Sequence, residues 1–250
     1  MSGKERETTR RIRRSEFLQP ASLGPVQRAA LVDRIHAVYS ETMSGFTRDE
    51  LEAQIFGAGE PRVGLFYGAR GELAGFTYAG LDRLEHQGRR HGMFSMGAFF
   101  RYGYRGGLWT TLFGLRVALL FKLREPRTPV AYLTRCATPA AYRRLVLIMP
   151  TVYPHRTRRT PAKVASLIHA LTVQWNYEPV GEDMWVVRSV ATPRDVARLR
   201  RIAGDAESQF YLRLNPHFAE GRSLVVFTPL TAVNIAGGIF RATCTRGRRR

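Results

Sequence analysis

The sequence predicts an α+β domain, a single and mostly antiparallel sheet covered by helices. Three observations carry that prediction. Residues 62–101 hold three apolar, aromatic-rich runs separated by the turn signals Ala69-Arg70-Gly71-Glu72 and Gln87-Gly88, the pattern of an antiparallel meander. Segments with helical apolar spacing lie on both sides of that meander. The 250 residues are 44% hydrophobic and 24% charged, which excludes a wholly disordered chain and allows a substantial core.

The elements follow in order. Residues 1–14 form a basic segment expected to be a disordered tail, and the domain is expected over 15–240. Leu31–Met43 places Leu31, Ile35, Val38 and Tyr39 on one helical face. Thr47-Arg48-Asp49-Glu50 is a capping box, whose hydroxyl and carboxylate satisfy two free amides at a helix start; Gly57 and Gly59 end that helix. Strands are expected at Arg62–Tyr67, Leu73–Glu85 and Arg89–Arg101, then a glycine-rich loop at Tyr102–Gly107. Leu108–Phe121 is apolar on nearly every side, as a mostly buried helix is. Val130–Cys136 is a strand, and Thr138-Pro139 starts a helix to about Met149, with threonine as cap and proline at the first helical position. Beyond the basic connector His155–Arg159, Thr160-Pro161 repeats that start signal. Asp183–Ser189 is expected as a strand, Thr192-Pro193 as the start of a short helix, and Asp205–Leu214 as a helix. Ser223–Phe240 has 18 residues without a charge, the lower limit for a membrane span. Pro229, Asn234, Gly237 and Gly238 dilute it, so a buried strand over Ser223–Thr228 followed by an amphipathic helix is expected.

Charge is the anomaly. There are 39 Lys+Arg against 20 Asp+Glu, net +19, and arginine supplies 36 of the 39. Codon usage in a GC-rich genome is one reading; an anionic partner (nucleic acid, lipid headgroups or a phosphorylated cofactor) is the other. Residues 1–14 carry +4 and the second tail, 241–250, carries +5, so both ends favour loose, salt-sensitive binding to polyanions. Two cysteines exclude a disulfide framework and a four-cysteine zinc site. No HExxH, CxxC or aspartate-rich loop marks a metal site, so no metal is expected. The N-terminus lacks the apolar segment of a secretory signal, and the expected compartment is the cytoplasm.

The informative stretch is Phe99–Leu112, FFRYGYRGGLWTTL. Here a strand runs through Arg105, Gly106 and Gly107 into a helix. Glycines admit close backbone approach, the first helical amides have no intrahelical acceptor, and an arginine adds a planar fork of donors, so a pyrophosphate is the natural occupant. The string Tyr104-Arg105-Gly106-Gly107-Leu108-Trp109 resembles the R/Q-x-x-G-x-G/A loop of the GNAT superfamily of acyl-coenzyme A N-acyltransferases, one residue shorter than the family string. The order of elements over residues 12–155 is similar as well. The resemblance implies a GNAT-like sheet with an extended C-terminal region and acyl transfer from acetyl-CoA or another acyl-CoA to an amine. It further implies that Tyr104, Arg105, Gly106, Gly107 and Leu108 hold the pyrophosphate. The main chain of Phe99, Phe100 and Arg101 would then line the pantetheine arm on a splayed strand.

Acyl transfer to an amine needs a base, and often an acid for the leaving thiolate. In the family a tyrosine on the helix after the fifth strand serves as acid, which here implies Tyr142 or Tyr153; both also suit core positions. Glu85, with His86 and His91 nearby, is the base candidate, although a two-residue turn also pairs Glu85 with Arg90 as a surface ion pair. Two other readings stay open. One is a GNAT-shaped module that binds nucleic acid through its arginines without catalysis, and the other is a peripheral membrane protein using Ser223–Phe240 and the basic end.

Overall fold

The computed structural model describes residues 10–181 and 184–247. The chain opens with β1 (Arg14–Leu18) and α1 (Pro25–Thr42). Helix α1 begins on Gly24 and Pro25, before the apolar face expected from Leu31, because proline presets the first helical φ and lacks an amide that has no partner there. The short β2 (Met43–Ser44) precedes α2 (Arg48–Phe56), whose capping box forms as read: Glu50 Oε2 accepts the Thr47 N–H at 2.8 Å, and Thr47 Oγ1 accepts that of Glu50 at 3.3 Å. The meander follows as β3 (Arg62–Tyr67), β4 (Leu73–His86) and β5 (Arg89–Phe100). Gln87 and Gly88 both take positive φ, 51° and 70°, as a two-residue hairpin turn requires.

Then come α3 (Gly107–Arg124), β6 (Val130–Cys136), α4 (Pro139–Ile148), α5 (Ala162–Gln174), β7 (Val186–Arg188) and β8 (Thr192–Pro193). The chain closes with α6 (Val196–Arg201), α7 (Ala206–Leu214), β9 (Arg222–Pro229) and α8 (Ala232–Gly247). The strands form one seven-stranded sheet in the order β1-β3-β4-β5-β6-β9-β7, with β5 and β6 parallel and every other pair antiparallel. The fold is thus α+β with a mostly antiparallel sheet flanked by helices. Helices α1, α2 and α5 cover one face through Ile35, Leu51, Ile168 and Leu171. Helices α3, α4 and α7 cover the other through Phe121, Tyr142 and Tyr211, and α8 packs beside α4, Gly237 against Pro150.

Several expectations change. Residues 10–14 belong to the fold: Arg10 N–H donates to Gly103 O at 2.8 Å, Arg13 N–H to Tyr67 O at 2.9 Å, and β1 starts at Arg14. As an edge strand, β1 keeps a polar outer side, so its sequence looks like tail. Residues 1–9 and 248–250 lie outside the described residues, and the second tail begins inside α8. Thr192-Pro193 starts no helix; it pairs with Met43–Ser44, and Asp195 caps α6 by accepting the Arg198 N–H at 3.0 Å. The strand expected from Asp183 is only Val186–Arg188, with residues 182–183 outside the described set. Thr160 caps nothing, since Pro161 takes the cap position of α5 without a side-chain bond. The uncharged stretch Ser223–Phe240 divides as expected into a strand and a helix, and no described helix is long and apolar enough to cross a membrane.

Candidate functional site

At the end of β5 the chain turns sharply and re-enters as a helix. Arg101 Nε donates to Leu73 O at 2.8 Å and its guanidinium meets Glu41, which anchors the start of the turn. Gly103 takes a φ of +82°, and Tyr104 N–H closes on Arg101 O at 3.1 Å. The Tyr104 ring is buried, and its hydroxyl donates to the Glu72 carboxylate. Tyr104, expected at the pyrophosphate, therefore spends both donors on holding the loop.

Gly106 and Gly107 are different. Gly106 is buried under the Phe100 ring, where a Cβ would come within 2.2 Å of a ring carbon, so only glycine fits. Gly107 opens α3 at a φ of +40°, a left-handed conformation. The N–H groups of both make no hydrogen bond among the described residues, as expected for the start of a helix that has no side-chain cap. Arg105 is exposed beside them. Across the gap, Arg144 of α4 brings its Nη2 within 3.2 Å of where a Gly107 Cβ would sit. Leu108 stands in the first turn of α3, its side chain outside the described set. A hollow of about 220 Å³ adjoins the turn, walled by Phe100–Arg105, by Thr138 at the start of α4, and by Met43, Asp195 and Arg198 opposite.

Strands β5 and β6 separate next to this turn. They keep parallel register only over Gly92–Phe94 and Val130–Tyr132. Beyond that, Thr134 Oγ1 donates to Met96 O at 3.2 Å and Tyr132 OH reaches it at 3.4 Å, so side chains replace the ladder. The side chains of Phe99 and Phe100 point to opposite faces, Phe99 into Tyr39 and Phe76, Phe100 onto Phe66, and the main chain between them lies on the splayed edge.

The expected acid and base fall elsewhere. Tyr142 is fully buried on the inner face of α4 and donates to Pro154 O at 3.0 Å; burial pushes its hydroxyl far above the usual tyrosine range. It is a core residue. Tyr153 forms a backbone bridge with Phe227 and packs against the cluster under α5. Glu85 pairs with Arg90 at the exposed hairpin tip, ten residues along β5 from Phe100 and so roughly 33 Å from the turn. Glu85 is thus remote from the glycine turn, and the hydroxyl of Tyr142 is spent inside the core.

A polar group that sequence reasoning missed is Asp82, opposite Met93 in the stretch where β5 and β6 are still paired, three residues before Met96. Asp82, on β4, shares Tyr177 as a neighbour with Arg135, whose guanidinium stacks 4.7 Å over the Tyr177 ring. Burial raises the Asp82 carboxyl above its ordinary range, opposed by hydrogen bonds from the Gly59 N–H and the Trp175 indole. Burial pushes Tyr78, against Gly97 of β5, up to about 12. The signal was present: Asp82 is the first acid in an otherwise apolar strand, LAGFTYAGLD. Cys136 is buried with its thiol pushed up to about 12, an inert core position. Among the described residues no cluster of three or more His, Cys, Asp or Glu could hold a metal.

No protein-family model matches the sequence, and no curated protein matches it. Several similar solved structures are given as known or probable N-acyltransferases. A conserved Enterococcus faecalis protein given as a probable N-acyltransferase is 12% identical, with a TM-score of 0.35, over 54% of this chain and 32% of that one; the present chain thus spans about a third of its length. The NatC complex bound to Gag peptide and CoA is 14% identical over 88% and 100% of the two chains, with a TM-score of 0.37. Escherichia coli YhbS, a GNAT family N-acetyltransferase in complex with CoA, is 17% identical over 52% and 67%, with a TM-score of 0.31.

Proposed function

We propose that the protein transfers an acyl group from an acyl-coenzyme A thioester to an amine. The observation that carries this reading is the pair of glycine amides at the start of α3, without acceptors among the described residues, following the exposed Arg105 in sequence and with Arg144 beside Gly107, after a strand that has left its parallel neighbour. Those four groups fit a diphosphate. The main chain around Phe100 offers an edge for the amide-bearing arm, leading the thioester to the separated strands near Met96, whereas Arg101, expected there too, spends its N–H on Ala74 O and its carbonyl on the Tyr104 N–H. There the amine nitrogen attacks the thioester carbonyl, the C–N bond forms, and the C–S bond breaks with its electron pair going to sulfur. The proton released from nitrogen passes, directly or through a water, to the Asp82 carboxylate three residues further along the strands, whose proton affinity burial raises above that of an ordinary aspartate.

Calorimetric titration with acetyl-coenzyme A tests the reading. Arg105→Ala and Arg144→Ala each lose a charge-assisted contact of about 1.5–3 kcal/mol, or roughly ten- to a hundredfold in affinity. No heat from the unaltered protein at millimolar ligand ends it.

One observation favours a second reading, nucleic-acid binding. Arg10, Arg11, Arg13 and Arg70 surround an open hollow of about 380 Å³ next to Tyr104, with Glu72 as its acid. A filter-binding series against salt separates the two: a steep slope without coenzyme A binding favours the polyanion.

A further inference from the structure

Helix α3 has two apolar sides. Its inner stripe, Phe113, Val117, Ala118 and Phe121, packs on the sheet and is sufficient to hold the helix there. Its outer stripe, Leu112, Leu119, Leu120 and Leu123, faces water at 46, 59, 40 and 72% exposure. The spacing i, i+7, i+8, i+11 puts the four on one side of the helix. Isolated exposed leucines are normal, but four in one stripe mark an interaction surface.

The charges around the stripe select its partner. Residues 107–124 contain no Asp or Glu. Arg116 lies within the stripe, four residues after Leu112, and at its C-terminal end follow Arg124, which also pairs with Glu60 at 3.1 Å, and the exposed Arg127. On the same side of the sheet, α8 also has no acid over Ala232–Gly247 and leaves Val233 81% exposed. A second copy of a chain carrying +19 would bring Arg116 and its neighbours against their own kind. An anionic bilayer meets both demands, accepting leucines at the acyl boundary and guanidinium groups among the headgroups. We propose that the outer face of α3 docks on an anionic membrane surface, with the helix in the interfacial plane. This site is separate from the glycine turn and does not require the acyltransfer reading. It also differs from the docking expected at Ser223–Phe240, whose first seven residues belong to β9, buried from Ser223 to Thr228.

The test uses the full chain and vesicle flotation. Vesicles of phosphatidylcholine with about a third phosphatidylserine are compared with phosphatidylcholine alone, at low salt and at roughly 0.5 M salt, where exposed charges are screened within about 5 Å. The basic ends alone give binding that vanishes at high salt, so the salt-resistant fraction reports the leucines. The unaltered protein floats with anionic vesicles and keeps such a fraction. Leu119→Ser with Leu120→Ser and Leu123→Ser removes that fraction and lowers partitioning about tenfold or more. Arg116→Glu lowers the low-salt binding by a similar factor. If circular dichroism shows the triple variant misfolded, Leu123→Gln alone serves, since that side chain is the most exposed of the four. The proposal is overturned if the unaltered protein does not float or if the folded variants float as it does. It is equally overturned if sedimentation shows a dimer that the triple variant converts to monomer, because a second copy then covers the stripe.

Discussion

The two halves of the sheet are built by opposite rules. From β1 to β5 the strands are antiparallel, and β3, β4 and β5 pair with their sequence neighbours through short turns. From β6 to β7 the partners are remote: β9, late in the chain, lies between β6 and β7. The halves meet at three parallel register pairs and then part. The local half is a continuous antiparallel platform. The remote half is a separate wall, and beyond Phe94 the two halves no longer share a backbone ladder.

The comparison can be broken from either side. Phe76→Ala in the meander and Tyr211→Ala under the remote half each remove a fully buried ring, at about 3–5 kcal/mol. If locality sets the order of assembly, stopped-flow kinetics will show the first mainly slowing refolding and the second mainly speeding unfolding. Beside the meeting line, Asp82→Asn keeps an acceptor oxygen for Gly59 and Trp175 but removes the carboxylate proposed as the base. The expected result is a fall in kcat of about a hundredfold or more with acyl-CoA affinity unchanged, and the loss of a pH limb that lies above the ordinary aspartate value of 3.8. Gly97→Ala drives a methyl to within 2.4 Å of the Tyr78 ring, and a cost of about 1–3 kcal/mol should appear in urea melts. Tyr132→Phe and Thr134→Val each remove a bond to Met96 O, about 0.5–1.5 kcal/mol, and the double variant should cost less than the sum because the acceptor is shared.

The smallest effect is electrostatic. Arg83 of β4 holds the Glu125 carboxyl below its usual range, and with Arg124 it outweighs the burial that would raise Glu60. Both folded values lie below 4.5, so this stabilisation is present above pH 4.5 and is lost as pH falls through the depressed values. Arg83→Met should flatten that part of the acid stability curve by about 1 kcal/mol or less.

How much was legible follows the same division. The meander, its Gln87-Gly88 turn and the capping box at Thr47 were readable because their determinants lie within a few residues of each other. So was the turn at Gly106-Gly107. Arg144 was not readable as part of that site, because its place over Gly107 depends on how α4 packs. Tyr142 misled because its position in sequence says nothing of which face of α4 turns inward, and only its bond to Pro154 O settles that. Glu85 misled because strand length, not sequence proximity, separates it from the turn. Asp82 was visible as an acid in an apolar strand, but its neighbours Tyr177 and Arg135 arrive from distant segments. β1 was masked by a charged sequence that an edge position tolerates.

The placement of β9 has a consequence for biosynthesis. As the ribosome extends the chain, the meander can close soon after Phe100 emerges, whereas Val130–Cys136 must wait with one edge open until Arg222–Pro229 has been made. A nascent polypeptide carrying that open edge is a natural client for chaperones, and translation stalled before Arg222 should yield truncated chains that aggregate through β6 rather than through the finished meander.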